Sequence, residues 1–359
     1  MSVPENPFTW RREDTIRTAG LLAVIVALHL LAWGVFVLAV VPSQYRLGSQ
    51  IFGFGLGVTA YTLGMRHAFD ADHIAAIDNT TRKLMADGKR PTSVGFWFAI
   101  GHSAVVVVLA LLIAAGTRLA ATLIDDGSGA HQTLGVIGTA ISGLFLLLIG
   151  ILNLLALLGI CRVFRRMRSG QFDEDELETA LNARGFFVRL LGGLTRSISR
   201  PGQMFFVGML FGVGFDTASE ITLLVLAGSG AASGLPWYAV LVLPLLFAAG
   251  MSLFDTLDGT FMNFAYHWAF ANPVRKVYYN ITITGLSVAV ALIIGTIELV
   301  SVLHEKLNLT DAVTSAIAGL DLNNVGFIIV GLFLVVWAAA ISYWRLAKLE
   351  QRWSAGTLG

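Results

Sequence analysis

Stretches almost free of charge recur along the chain at residues 18–41, 52–78, 93–116, 134–159, 203–227, 236–264, 279–300 and 325–344. Each is near the twenty residues that carry an α-helix across about 30 Å of hydrocarbon. The pattern predicts an all-α integral membrane protein with eight transmembrane helices. One long hydrophilic segment interrupts it, basic at both ends around the acidic centre Asp173-Glu174-Asp175-Glu176-Leu177-Glu178, which reads as a solvated loop face. This segment divides the chain into an N-terminal half (1–159), a linker (160–202) and a C-terminal half (203–359), with four helices in each half.

Lys and Arg collect in the cytoplasmic segments of membrane proteins. Alternating sides from the first helix puts Arg11, Arg12, Arg17, Arg82, Lys83, Lys89, Arg90, the arginines from Arg162 to Arg200, Arg275, Lys276, Arg345, Lys348 and Arg352 on one side. Arg46, Arg118 and Lys306 fall on the other. The expectation is a multi-pass protein of the cell membrane with both termini cytoplasmic. Its first apolar run, preceded by three arginines, reads as a retained signal-anchor helix.

Composition narrows the function. AVILMFWYC residues make up 56% of the chain and DEKR residues 13%, against about 25% charged in soluble domains, which excludes an ordinary soluble enzyme. A formal net charge of +1 lacks the basic excess that nucleic-acid binding uses. The single cysteine, Cys161, excludes an intrachain disulfide and any multi-thiolate metal site. No G-x4-GK[ST] motif occurs, so neither an ATP-binding domain nor an ATPase subunit is evident, and no resident cofactor is expected.

Against this apolar background an ionisable side chain at bilayer depth costs several kcal/mol unless it is paired, ligated or hydrated, so each one is a candidate for function. The second run carries His67, Asp70, Asp72 and His73, the third His102, the fifth Asp216 and Glu220, and the sixth Asp255 and Asp258, with Arg66 as the cation among them. On a continuous helix His67, Asp70 and His73 share a face, as do Asp216 with Glu220 and Asp255 with Asp258. Asp72 points elsewhere unless the helix is distorted or the carboxylate orients a histidine from behind. At the helical rise, Asp70, His102, Asp216 and Asp255 all lie about 12–20 Å from the cytoplasmic ends of their helices, so a single site among helices 2, 3, 5 and 6 is open to them. Imidazole and carboxylate without thiolate suit Ni, Co, Zn, Mn or Fe(II), whereas Mg and Ca prefer oxygen alone.

Other polar residues read as structural. His29 reads as a packed histidine, Glu298 as interfacial, His131 and His304 as members of outer segments, and His267 as lying just past helix 6. The 38 glycines point to close helix packing. Two short echoes, Phe69-Asp70-Ala71 with Phe215-Asp216-Thr217 and Gly64-Met65 with Gly250-Met251, are too brief to establish a repeat. If helices 2 and 5 correspond, they run in opposite directions, as in inverted-repeat transporters.

At RHAFDADHI (66–74) the sequence resembles the nickel/cobalt transporter family, the NiCoT permeases, whose helix 2 signature is matched here by His67, Asp72 and His73. FAIGHSAVV (98–106), GFDTASE (214–220) and GMSLFDTLDG (250–259) match its further motifs in order. Ala104 departs from the hydroxyl residue usual after Gly-His-Ser, which leaves no hydroxyl role at that position. The resemblance implies a secondary transporter taking up Ni²⁺ or Co²⁺ as substrate, with the helix 2 His and Asp residues essential. Its stress on Asp72, which an ideal helix turns away, implies a distorted helix 2. A metal exporter stays open, since sequence carries no direction, and so does an intramembrane metalloenzyme, although HExxH and the diiron Glu-x-x-His pattern are absent.

Overall fold

The computed structural model describes residues 12–47, 50–115, 128–168, 198–213, 234–270, 273–320 and 325–346. Ten α-helices run through these residues: α1 (Arg12–Val35), α2 (Phe54–His67), α3 (Ala71–Ala86), α4 (Val94–Ala114), α5 (Gly129–Arg168), α6 (Met204–Gly212), α7 (Trp237–Phe270), α8 (Pro273–Lys306), α9 (Ala312–Ala318) and α10 (Val325–Leu346). After α1 a π turn (Phe36–Val40) and a 3-10 turn (Val41–Ser43) lead into a small antiparallel ladder, β1 (Arg46–Leu47) with β2 (Gln50–Ile51). Among the described residues, five segments are long and apolar enough to cross a membrane: Arg12–Ser43, Val94–Leu112, Gln132–Gly159, Trp237–Ala265 and Thr284–Lys306.

The second apolar run differs from the expected single helix. The chain breaks between α2 and α3, where Phe69 and Asp70 donate their amides to the carbonyls of Arg66 and His67, both at 2.9 Å, and Asp70 turns extended (φ −67°, ψ 145°). Asp is a favoured residue at a helix N-cap, and a second acid in the first turn, Asp72, complements the positive end of the α3 dipole. Asp70 holds the N-cap position without a side-chain cap bond, because its carboxylate is turned back to His67 at 2.7 Å, so the break and the histidine contact are built by the same residue. The fourth run also differs, because α5 continues to Arg168 into the segment expected as linker. Cationic side chains at a helix C-terminus favour its dipole and can reach toward water. The acidic centre at 173–178 lies outside the described residues.

Glycines set how closely the helices approach. A Cβ on Gly64 of α2 would stand 2.0 Å from the carbonyl oxygen of Phe247 on α7, and one on Gly250 of α7 would stand 2.5 Å from that of Tyr61 on α2. The echoed Gly-Met pairs thus mark two glycines meeting at one crossing. Gly101 of α4 and Gly208 of α6 meet the carbonyls of Phe205 and Phe98 in the same reciprocal way, and a Cβ on Gly143 of α5 would stand 3.1 Å from the carbonyl oxygen of Gly295 on α8. Small residues permit such backbone contact where no hydrophobic drive brings helices together.

α3 is a polar helix in a buried position. Asp78, Asn79, Thr80, Thr81 and Arg82 are all buried. Asn79 donates to the carbonyl of Ala75 at 2.8 Å and accepts from Asn153 of α5 at 2.8 Å. In the last turn of α3 and just past it, Lys83 and Lys89 donate to the carbonyls of Ile198 and Ser199, and Arg90 pairs with the buried Asp14 of α1.

Asp311 caps α9, accepting from the amides of Val313 (3.1 Å) and Thr314 (2.9 Å) and from the Thr314 hydroxyl. These hydrogen bonds, that of Thr314 first, hold its carboxyl below the usual range. A depressed acid contributes stability above its unfolded value and loses it as pH falls through its folded value. Hydrogen exchange in 312–318 is accordingly expected to quicken on acidification below the ordinary aspartate range. Unchanged exchange down to that folded value would remove the capping account.

Candidate metal centre

Three imidazoles from three elements meet where helix 2 breaks. His67 is the last residue of α2, His73 lies in the first turn of α3 and His102 is in the middle of α4. Each offers a ring nitrogen within 4.8 Å of the others, and all three residues are buried. Their ring centroids are 4.5 Å (His67–His73), 4.8 Å (His67–His102) and 4.9 Å (His73–His102) apart. The edge of Phe98 against His73 and the ring of Phe247 beside His67 wall the cluster with apolar surface.

Two carboxylates orient these rings from behind. His67 Nδ1 is 2.7 Å from Asp70 Oδ2, and His73 Nδ1 lies 3.3 and 3.4 Å from the two carboxylate oxygens of Asp255 on α7. With a carboxylate accepting at Nδ1, that nitrogen carries the hydrogen and Nε2 keeps its lone pair, the arrangement that a histidine ligating a metal requires. His67 Nε2 faces His102 Nε2 at 3.0 Å, while His73 Nε2 is buried with no hydrogen-bond partner among the described residues. His67 and His73 thus present Nε2 lone pairs, and with the shared hydrogen moved off His102 Nε2 the three ring nitrogens can bind a divalent transition ion in place of part of its water. Replacing Asp255 by asparagine is expected to weaken metal binding about 10–100-fold, the usual cost of losing such an outer partner. Titration of purified protein checks this, and unchanged affinity would remove the orienting role.

The other candidates are placed differently. Asp72 is half-buried and its Oδ1 accepts the backbone amide of His73 at 2.9 Å, so its recorded bond fixes the first turn of α3. Asp258 lines a separate cavity of about 210 Å³ with Phe69, Phe254 and Phe333, and its Oδ2 has no hydrogen-bond partner among the described residues. Asp216 and Glu220 lie outside the described residues. Sequence reasoning did not single out Asp78 or Arg82, buried beyond His73 on α3. Their signal was the polarity of the run IDNTTRK (77–83), which straddles the end of the apolar run at 78 and in which Arg82 reads as part of a cytoplasmic segment. Arg82, expected in a cytoplasmic segment, is 2% exposed, and Glu298, expected at the interface, is 6% exposed. Among the remaining histidines, His29 bonds the Ile25 carbonyl (2.8 Å) and the Tyr61 hydroxyl (3.2 Å), and His304 lies 3.2 Å from the Thr314 hydroxyl.

Residues 53–343 match the NicO family, described as high-affinity nickel-transport protein. The chain is 56% identical over 339 residues to "Nickel transporter NicT" of Mycobacterium tuberculosis, covering 94% of this chain and 91% of that one. It is 44% identical over 333 residues to "Nickel transporter NixA" of Staphylococcus aureus (93% and 96%) and 40% identical over 338 residues to "Cobalt transport protein NhlF" of Rhodococcus rhodochrous (93% and 94%). No solved structure matches it significantly.

Proposed function

Because the chain belongs to the NicO family of high-affinity nickel-transport proteins, we propose that it is a permease that takes up Ni²⁺ and/or Co²⁺ across the cytoplasmic membrane, with His67, His73 and His102 as the ion's ligands. The observation that carries this reading is the imidazole triangle at the helix break. Two nitrogens bound at about 2.0–2.1 Å to one ion stand about 3.0 Å apart when the bonds meet at a right angle and about 3.4 Å apart in a tetrahedron. The 3.0 Å between His67 Nε2 and His102 Nε2 brings both nitrogens within reach of one ion. α2 also ends at the cluster, so the negative end of its dipole faces the ion, as broken helices do in secondary transporters. Asp70 and Asp255 orient the ligands, Asp72 sets the α3 turn, and Asp216, Glu220 and Asp258 belong to the route on either side.

The eight apolar runs cross the membrane with both termini cytoplasmic, and the two halves rock about the central ion. No nucleotide is needed. An inside-negative potential of 100 mV is worth about 2.3 kcal/mol per charge, so a divalent ion gains about 4.6 kcal/mol, roughly 10³-fold accumulation. Cells expressing the chain at nanomolar external metal are expected to hold more nickel or cobalt by mass spectrometry than cells carrying an empty vector. Equal contents would sink the uptake reading, and faster loss of preloaded metal would replace it with export.

A further inference from the structure

Beyond the histidine cluster, α3 and α7 descend side by side. His73 faces Asp255, and one turn on a Cβ at Gly259 would stand 3.4 Å from Ile77 and 3.1 Å from the amide of Gly95 on α4. A Cβ at Gly95 would in turn stand 3.3 Å from the amide of Thr256. Three helices therefore meet along one seam. Ser252, Thr256, Gly259 and Asn263 follow at i, i+4, i+7 and i+11, one stripe of α7, and Thr80 lies one turn past Ile77 on α3. Ser252, Asn263 and Thr80 are 0% exposed and Thr256 is 2% exposed. Among the described residues the three hydroxyls and both amide atoms of Asn263 have no hydrogen-bond partner.

Buried polar side chains are nearly always satisfied, and a run of unsatisfied ones calls for water or an ion. Resting on the uptake reading, we propose that this stripe is the inner half of the ion's route. It is a seam of neutral oxygens along which the divalent cation leaves the imidazoles with part of its water shell, closed here by Gly95 against Gly259. The chemistry fits passage rather than storage. Hydroxyl and amide oxygens hold a late first-row ion more weakly than imidazole does, so the ion is received without being trapped. The closure fits opening, because Gly95 and Gly259 meet without interlocking side chains and α4 can part from α7 without forcing rotamers. Water then reaches the unpartnered oxygens, which favours the open form. The seam leads toward the end of α3 marked by Lys83, Lys89 and Arg90, the side read as cytoplasmic.

Cys161 is the single cysteine, so Cys161→Ser yields a cysteine-free chain. In that background Thr256→Cys, Asn263→Cys and, as control, Ala291→Cys (0% exposed on α8) are introduced one at a time and reacted in inside-out vesicles with a positively charged methanethiosulfonate. Thr256→Cys and Asn263→Cys are expected to react at least about tenfold faster than Ala291→Cys, since thiol reaction follows access. Equal rates at the three positions overturn the proposal. Thr256→Val, close in shape, supplies a second readout: the uptake rate falls while metal affinity of the purified protein is unchanged, and native uptake again overturns it. Labelling does not require metal to move. A native chain that accumulates neither metal yet labels at both positions removes the uptake reading and keeps the hydrated seam; accumulation with control-level labelling removes the seam alone.

Discussion

His73→Ala is expected to bring nickel and cobalt accumulation down to that of cells lacking the chain. His73 contributes one of three nitrogens and is the residue through which Asp255 of α7 reaches the cluster. Loss of a carboxylate behind a ligand costs about 10–100-fold in metal affinity, and loss of the ligand itself costs more, so binding at nanomolar metal disappears. Two imidazoles remain, 3.0 Å apart, and hold an ion too weakly to strip its water. The variant should still insert and purify as a single species, because the helix crossings rest on glycine contacts elsewhere. His29→Ala is the control: that side chain bonds only Ile25 and Tyr61 among the described residues, and accumulation should stay at the native level. Native accumulation by His73→Ala would mean that the triangle is not on the ion's path.

Gly95→Ala is expected to destabilise the protein and disable the same site from a distance. The added Cβ would stand 1.9 Å from the carbonyl oxygen of Asp255 and 2.6 Å from its carbonyl carbon. Both are backbone atoms, so the clash is relieved only by moving α4 away from α7. Overpacking of this kind costs about 1–3 kcal/mol, sometimes more. The displaced segment also carries the carboxylate that holds His73. A lower melting temperature in detergent together with reduced uptake is the expected pair of results. Gly20→Ala on α1, where nothing lies within 4 Å, serves as the comparison and should match or exceed native stability, since alanine favours the helix by about 0.5–1 kcal/mol. If the two variants behave alike, the glycine contact does not set the α4–α7 distance.

The chemistry of the centre was legible before its shape. His67, His73, His102, Asp70 and Asp255 stand out because charge and imidazole are costly at bilayer depth, a penalty independent of fold. Their division into ligands and orienters was not legible, because it depends on which ring nitrogen a carboxylate reaches across 182 positions of sequence from His73 to Asp255. Asp258 shares a helical face with Asp255, yet it lines a different cavity, since α10 rather than α4 lies beside it. The break at Asp70 sits between these cases. The resemblance to a family motif implied a distortion, but an averaged apolar run of 52–78 conceals where it falls, and the Asp70 carboxylate that a cap would use is turned to His67 instead.

Sequence by itself determined that this is a helical membrane protein of one transporter family with imidazole and carboxylate at depth. Solvent preference and residue chemistry are local properties, readable one segment at a time. The tertiary structure alone decided that α2 stops at His67, that α3 carries a buried arginine, and that three imidazoles share one point. Those outcomes depend on how closely helices far apart in the chain approach one another. Backbone contacts such as Gly64 with Phe247 and Gly95 with Asp255 set that distance, and no pattern within a single helix records it.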